Sequence, residues 1–544
     1  MPLGFWRRHR IFKWFAVSLL IALVLLGIAI DIAAHRAEPF LRVLIVQRLE
    51  EHFHARVELD SFHISVAHGL LAEGKGLRIW PPASVAGVAV PGSNEARNPL
   101  VTLAEFHFRA PIHFVRGKPI HIWAIALDGL RIDVPPRPHL THAADVEAPA
   151  PSPSGRGAAL LAGLRFQIDS VQCNNARLTL ETSVPGKEPL QFDIKTVRIT
   201  HVNAAGAMEY AAVLTNPRPA GLITAKGTMG PWVVEDPGET PVAGAYRFDH
   251  ADLSVFKGIA GILNSTGKYQ GTLRAMVVDG TTDTPDFALT RFGTAVPLHT
   301  SFHARVDGTN GDTWLEPVTA TLGNSQFTAR GKIVQAPAPA GLKAGGPHGH
   351  NLNLTVDVEH GQIGDFMRLT SRSGQPLLNG TLHVKTDFEL SPGSNPVDER
   401  MRLAGSFRLE DAQFSNPKLQ ERIGELSLRG QGMPDAAKTA AAADVRSTME
   451  GDFTIKDGDV HLPHLVYIVP GAEIDLHGAY GIDGGSLSFS GTARMDATIS
   501  HLVGGWKGWL LKPVDPLFRK DGAGTKVKVH VYGTRKDPQF GVDF

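Results

Sequence analysis

Beyond residue 55 apolar and polar residues alternate along most of the chain, the period of a β-strand with one dry face and one wet face. Val57, Leu59, Phe62, Ile64 and Val66 follow that period with one slip at Ser61, which a β-bulge would absorb. Leu352, Leu354, Val356 and Val358 alternate with Asn353, Thr355 and Asp357. Leu382 and Val384 continue through Thr386 to Phe388 and Leu390. Val460 and Leu462, then Leu465, Tyr467 and Val469, then Ile474 and Leu476 form short runs broken by Pro463 and Pro470-Gly471. From Lys526 to Val531 the valines fall on one face and Lys526, Lys528 and His530 on the other. Such runs, separated by Asp-Gly, Gly-Gly and Pro-Gly turns, predict a mainly β protein built as an antiparallel meander.

The amino-terminal part departs from this period. Trp14 to Ala34 is 21 residues, apolar apart from Ser18, Gly27 and Asp31, and long enough as a helix to cross about 31 Å of hydrocarbon. Trp14, Phe15, Leu19, Leu20, Leu23, Leu25, Leu26, Ile28 and Ile30 supply its apolar body. Arg7, Arg8, Arg10 and Lys13 precede it, which predicts a cytoplasmic amino terminus and a body sent across the membrane. A cleaved signal peptide fits less well: the run exceeds the usual core, and Ile32 with Ala34 makes a poor cleavage site. Glu38–His54 reads as an amphipathic helix, with Phe40, Leu41, Leu44, Ile45, Leu49 and Phe53 at helical spacing.

Three stretches carry neither period and read as loops or hinges: Pro135–Gly157, Ala336–His350 and Pro434–Ala443. The expected organisation is a cytoplasmic segment over 1–13, a membrane helix over 14–34 and a helix with the first strands over 35–134. A loop over 135–157, a sheet module over 158–335, a loop over 336–350 and a carboxy-terminal β region over 351–544 follow. About 400 β residues at roughly 15 per strand and turn predict about 27 strands. A weak internal repeat is visible. Asp252–Phe256 leads to Gly271-Thr272-Leu273, and Ile363–Met367 leads to Gly380-Thr381-Leu382, with a degenerate third copy from Ile499–Val503 to Gly524-Thr525.

Composition narrows the function classes. Lys+Arg and Asp+Glu are both 54, so no basic excess exists for nucleic acid. Gly 57 and Pro 37 suit frequent turns, and the single Cys173 excludes a disulfide or a multi-cysteine metal site. HExxH, CxxC and the Rossmann glycine fingerprint are absent. Asn264–Tyr269 half resembles a phosphate loop, but Ile262 stands where its first glycine should be and Tyr269 where its hydroxyl should be. Among 24 histidines, the pairs His348/His350 and His461/His464 have no third ligand at metal spacing and read as solvated positions. Asp279, Asp283 and Asp286 read as turn caps. No cofactor is expected, and nothing local supports an enzyme. Near the end, Trp506, Trp509, Leu510, Leu517 and Phe518 interleave with Lys507, Lys512, Arg519 and Lys520. This segment suits an end-plug that hides the sheet edge, or a contact with a bilayer interface.

The order of these features resembles the AsmA family of diderm bacteria. The resemblance rests on the cationic anchor with Pro39-Phe40 and the helix to His54, then Arg56–Leu59, Gly69-Leu70-Leu71 and Gly76–Ile79. It continues in Gly405–Leu409 with Ala412-Gln413-Phe414, Gly451–Ile455, Val469–Ala472 with Leu476-His477-Gly478, and Pro513–Phe518 through to Gly533-Thr534. The family resemblance implies a single-pass inner-membrane protein with a periplasmic body, formed by an elongated, curled antiparallel sheet that is open as a groove or solenoid-like. Its apolar inside would guide phospholipids in outer-membrane and envelope biogenesis, without catalytic residues. Each buried methylene contributes about 0.8 kcal/mol, so one lipid tail gains on the order of 10 kcal/mol without any polar motif. Leu352, Leu354, Val356, Val358, Leu382, Val384, Val460, Leu462, Ile474 and Leu476 are the candidate groove positions. The partners expected are phospholipids, the inner membrane and other envelope proteins. A non-catalytic assembly factor working through its sheet edges is the alternative, and an envelope enzyme a remote third.

Overall fold

The computed structural model describes residues 38–543 apart from 40, 41, 44, 48, 52–54, 66–69, 81–98, 111–119, 135–165, 181–189, 203–205, 234–235, 290–292, 337–348, 370–375, 377, 394, 434–444, 482–485, 498–524 and 535–537. The anchor of residues 14–34, the segment from Trp506 to Phe518 and nearly all of the three Pro/Gly/Ala-rich loops lie outside these. Among the described residues no helix is long and apolar enough to cross a membrane. The described residues are mainly β, 72% of them strand, with few helices. It divides into two compact units: residues 1–217, 222–244 and 342–347, and residues 218–221, 245–341 and 348–544.

The first unit carries β1 (Val57–Glu58), β2 (Ser61–Ser65), β3 (Leu70–Ile79), β4 (Val101–Ala110), β5 (Ile120–Ile122), β6 (Ala124–Val134), β7 (Phe166–Leu180), β8 (Leu190–Val202) and β9 (Met208–Pro217). β10 (Ala220–Met229) and β11 (Pro241–Asp252) are shared between the units. Hydrogen bonding runs from β1 and β2 through β3, β4, β6, β7 and β8 to β9. The slip near Ser61 is a true interruption, at Leu59-Asp60. There Gly76 takes a left-handed φ of +67° and Asp60 lies where a Cβ would sit.

Pairing departs from the expected meander at one place: β5 and β6 run parallel to β7. Parallel neighbours cannot be joined by a tight turn, so the chain must cross over between them. Residues 135–165, which include the Pro135–Gly157 stretch, form that connection in sequence.

Helical residues between 38 and 51 lie against the first edge. Ile45 and Val46 pack on the core of Leu59, Phe62, Ile64 and Ala72. Their polar neighbours finish the backbone. Arg42 Nε donates to Leu59 O at 2.9 Å, Val57 N donates to Glu50 Oε1 at 3.1 Å, and Ile64 N donates to Glu38 Oε1 at 3.0 Å.

The second unit is an unbroken antiparallel ladder, each strand pairing with the next. Its members are β12 (Ile262–Thr272), β13 (Ala275–Phe287), β14 (Val296–Val306), β15 (Thr313–Leu322), β16 (Ser325–Gln335), β17 (His350–Gln362) and β18 (Leu378–Leu390). β19 (Met401–Phe414), β20 (Ser447–Lys456), β21 (Asp459–Val469), β22 (Ala472–Gly481), β23 (Ser486–Met495), β24 (Thr525–Thr534) and β25 (Pro538–Asp543) complete it. Pro463 does not end a run: it lies inside β21, at the irregularity between Leu462 and Leu465, where no ladder N–H is needed.

Helices gather at one end of this ladder. The 3-10 turn Leu253–Val255 follows β11, helix α1 (Ile363–Arg368) follows β17, and the longer helix, which we call α3 (Pro417–Gly430), follows β19. Connections in a meander alternate ends, so helices after odd-numbered strands share an end. The short α2 (Val397–Arg400) follows β18, and its Val397 N donates to Lys257 O at 2.8 Å, just after the 3-10 turn. The Asp252–Phe256 and Ile363–Met367 repeat copies therefore occupy corresponding places. Their Gly-Thr-Leu triplets do not correspond: Gly271 is near the finish of β12 and Gly380 near the start of β18.

Candidate functional site

The register places the ten groove candidates on one face of the second unit. Val358 lies opposite Val384, Val384 opposite Phe407, Phe407 opposite Gly451, Gly451 opposite Leu465, and Leu465 opposite Leu476. Directly opposed residues point to the same side of a sheet, as do residues two apart. Leu352, Leu354 and Val356 thus join Val358, Leu382 joins Val384, and Ile474 joins Leu476. Val460 and Leu462 are brought to the same side by the irregularity at Pro463. Val358 (3%), Leu382 (5%), Val460 (5%) and Leu462 (7%) are nearly inaccessible, whereas the other six keep part of their surface open to solvent.

Neighbours that were not singled out belong to the same face. Phe407, Phe453, Ile455, Met449 and Phe489 pack with Val460, Leu462 and Leu465. Their strands alternate as cleanly as β17 in sequence, and that alternation is the signal that identifies them. Glycines recur between these large side chains. A Cβ on Gly478 would stand 2.7 Å from Phe489 Cδ1 and one on Gly491 1.8 Å from Asp475 O, so these positions admit only hydrogen.

Helices close one end of the face. Ile363 and Phe366 of α1 meet Leu382, Leu409 and Ala412; Ile423 and Leu426 of α3 meet Tyr467, Val469 and Ala472. Burial there pushes the Tyr467 phenol up to about 12. Asp365 of α1 is 3% exposed, its Oδ2 accepting from Asn324 N at 2.9 Å and Ser325 Oγ at 2.8 Å. Ser427 of α3 donates to Pro470 O at 2.7 Å.

The opposite face is polar. Asp279 and Asp283 are not turn caps; they stand mid-strand on β13, where Asp279 lies 2.7 Å from His303 Nδ1 and Asp283 3.8 Å from His299. The hydrogen bond to Asp279 raises the His303 pKa above its ordinary value. Asp286 accepts from Ile262 N at 2.8 Å. His350 opens β17, with Nε2 3.5 Å from Asp312. Asn264–Tyr269 is β-strand within β12 rather than a phosphate-binding turn. A depression of about 610 Å³ on this side is lined by Asp357, His383, Lys385, Arg408, Glu450 and His464, among others. Lys385–Asp357 (3.6 Å) and Arg408–Glu450 (3.3 Å) partly neutralise it. No group of three metal-ligating side chains occurs among the described residues. Cys173, half-buried in β7, has its thiol pKa raised by burial, the inert condition of a structural cysteine.

No family model, curated protein or solved structure matches this chain.

Proposed function

We propose that this is a non-catalytic, inner-membrane-anchored periplasmic protein of the AsmA type, which binds or guides phospholipids along a curled apolar β-groove in envelope biogenesis. The reading is carried by one observation: the apolar face that runs through β17–β23 keeps six of its ten candidate positions partly open. A closed core would bury such residues fully, whereas acyl chains could cover them reversibly. The anchor sequence from Trp14 to Ala34, with its cationic flank, supports the location.

The test uses the full chain bearing Val356→Asp, Val384→Asp or Leu476→Asp, comparing thermal stability with the yield of photo-crosslinked phospholipid. An unpaired carboxylate costs several kcal/mol against acyl chains but much less where water reaches it. Each variant should lose most lipid yield with a modest loss of stability. If wild-type protein never crosslinks lipid, or if all three variants aggregate, the groove reading fails. Assembly of envelope proteins through the strand edge at β25 would then lead.

A further inference from the structure

We infer that Thr282 and Thr300, with Tyr246 and Ser265, form a polar subsite within the apolar face, and that it holds one ester carbonyl of a diacyl glycerolipid. The inference rests on the lipid-groove reading and names the part of the lipid that this region recognises.

The apolar face changes character between its two stretches. From β17 to β23, Thr386, Ser447 and Tyr467 are buried at 7%, 4% and 8% exposure, and the Thr386 and Ser447 hydroxyls donate to Ala404 O and Ala412 O. Across β12, β13 and β14, in contrast, Thr282 and Thr300 are only half-buried; Thr282 lies opposite both Thr300 and Ser265, the last itself 7% exposed, and Tyr246 of β11 reaches Ser265. Hydroxyls thus stand in a row across four strands. The row continues into Ala320 and Phe327, and so shares the side of Val356, which pairs with Ala329.

Counting hydrogens shows what the row still offers. Ser265 Oγ donates to Thr281 O at 3.0 Å, so the Tyr246 hydroxyl is the donor in its 3.1 Å contact with Ser265. Neither retains a hydrogen. Thr282 and Thr300 lie 2.7 Å apart, and only one of them can donate to the other. The second threonine keeps a hydroxyl hydrogen with no acceptor among the described residues, and both side chains are only half-buried. A hydrocarbon tail laid over it would bury an unpaired donor; a carbonyl oxygen would satisfy it.

Charge separates an ester from a phosphate. Lys268 and Arg305 alternate with the inward positions and lie on the polar face, where Arg305 stacks on Trp314 at 5.0 Å. No cation shares the row. A neutral acceptor therefore fits, and a phosphodiester does not. The adjoining row is low. Gly267 faces Gly280, and a Cβ on them would meet the Tyr246 ring at 2.6 Å and the Phe302 ring at 2.7 Å. Both rings lie against these glycines, beside the half-buried hydroxyls of Thr282 and Thr300.

The probes are a fluorescent dioleoyl glycerophospholipid and its diether analogue, which has the same headgroup and chains but no ester carbonyls. Binding is measured to the full chain held in amphipol. Wild-type protein should prefer the diester by about five-fold, the worth of one hydrogen bond. Thr282→Val or Thr300→Val alone leaves one hydroxyl able to donate and should keep the preference. The double variant should abolish it while leaving diether affinity unchanged. Equal wild-type affinity for both lipids overturns the subsite, as does a preference that survives in the double variant. If the double variant does not fold, the wild-type ratio alone decides. Binding of neither lipid overturns the groove reading itself, a result distinct from equal binding of both.

Discussion

At the scale of single residues, the informative positions are those where a polar group stands on the dry side. Asp365 is the clearest. Its carboxylate is shut in by α1 and holds the turn between β15 and β16 through Asn324 N and Ser325 Oγ, with Arg368 3.8 Å from the other oxygen. Gly323, at φ +60°, has no room for a Cβ against it. Asp365→Ala leaves Asn324 N without its acceptor and Ser325 Oγ with only the 3.4 Å contact to Gln362 O, which should cost about 1–3 kcal/mol in urea unfolding. Asp365→Asn keeps one acceptor and should lose less. Equal stability of Asp365→Ala and wild type would show that the turn holds without this contact. Sequence could not single Asp365 out, because Ile363-Gly364-Asp365-Phe366 reads as an ordinary helix start and the partner turn is about 40 residues away. The hydroxyl row was hidden for the same reason: Ser265, Thr282 and Thr300 are unremarkable until register aligns them.

At the scale of elements, the amino-terminal helical segment shows how an exposed strand edge is managed. An unpaired edge is a template for pairing with a second chain. Glu38, Arg42 and Glu50 occupy the backbone groups of Ile64, Leu59 and Val57, while Ile45 and Val46 cover the apolar side. Removing these contacts in a Glu38→Ala, Arg42→Ala, Glu50→Ala variant should expose that edge. Sedimentation velocity should then show concentration-dependent self-association absent from wild type; a variant that sediments as wild type does would mean apolar contacts alone cover it. The helical period over 38–54 was legible from Ile45 and Leu49, and the alternation after residue 55 foretold the strand beside it. That the polar side chains of the helix serve the strand backbone was not, because hydrogen bonds to main-chain atoms leave no pattern in side-chain types.

At the scale of the whole molecule, the second unit is held by nearest neighbours, as β12–β25 each meet the next strand. Such ladders unfold as sums of local and interface terms rather than as one cooperative block. Hydrogen exchange should therefore be graded, slowest in β18–β22, where α1 and α3 pack, and fastest in β24–β25. Uniform protection across the ladder would contradict this. Two mismatches mark the limit of what pattern conveys: the parallel pairing of β6 with β7, and Pro463 inside a strand. Alternation records which residues share a face, but it is indifferent to strand direction, and a bulge can absorb a proline without disturbing burial on either side. The β class and the common side of Leu352 to Leu476 follow from a period of two, which is a local steric property of extended backbone, seen in 25 strands among the described residues. Register, the end at which helices collect, the buried carboxylate of Asp365 and the alignment of three hydroxyls came only with tertiary structure. Each depends on which distant strand lies alongside, a choice made by the packing of whole faces rather than by any local run of residues.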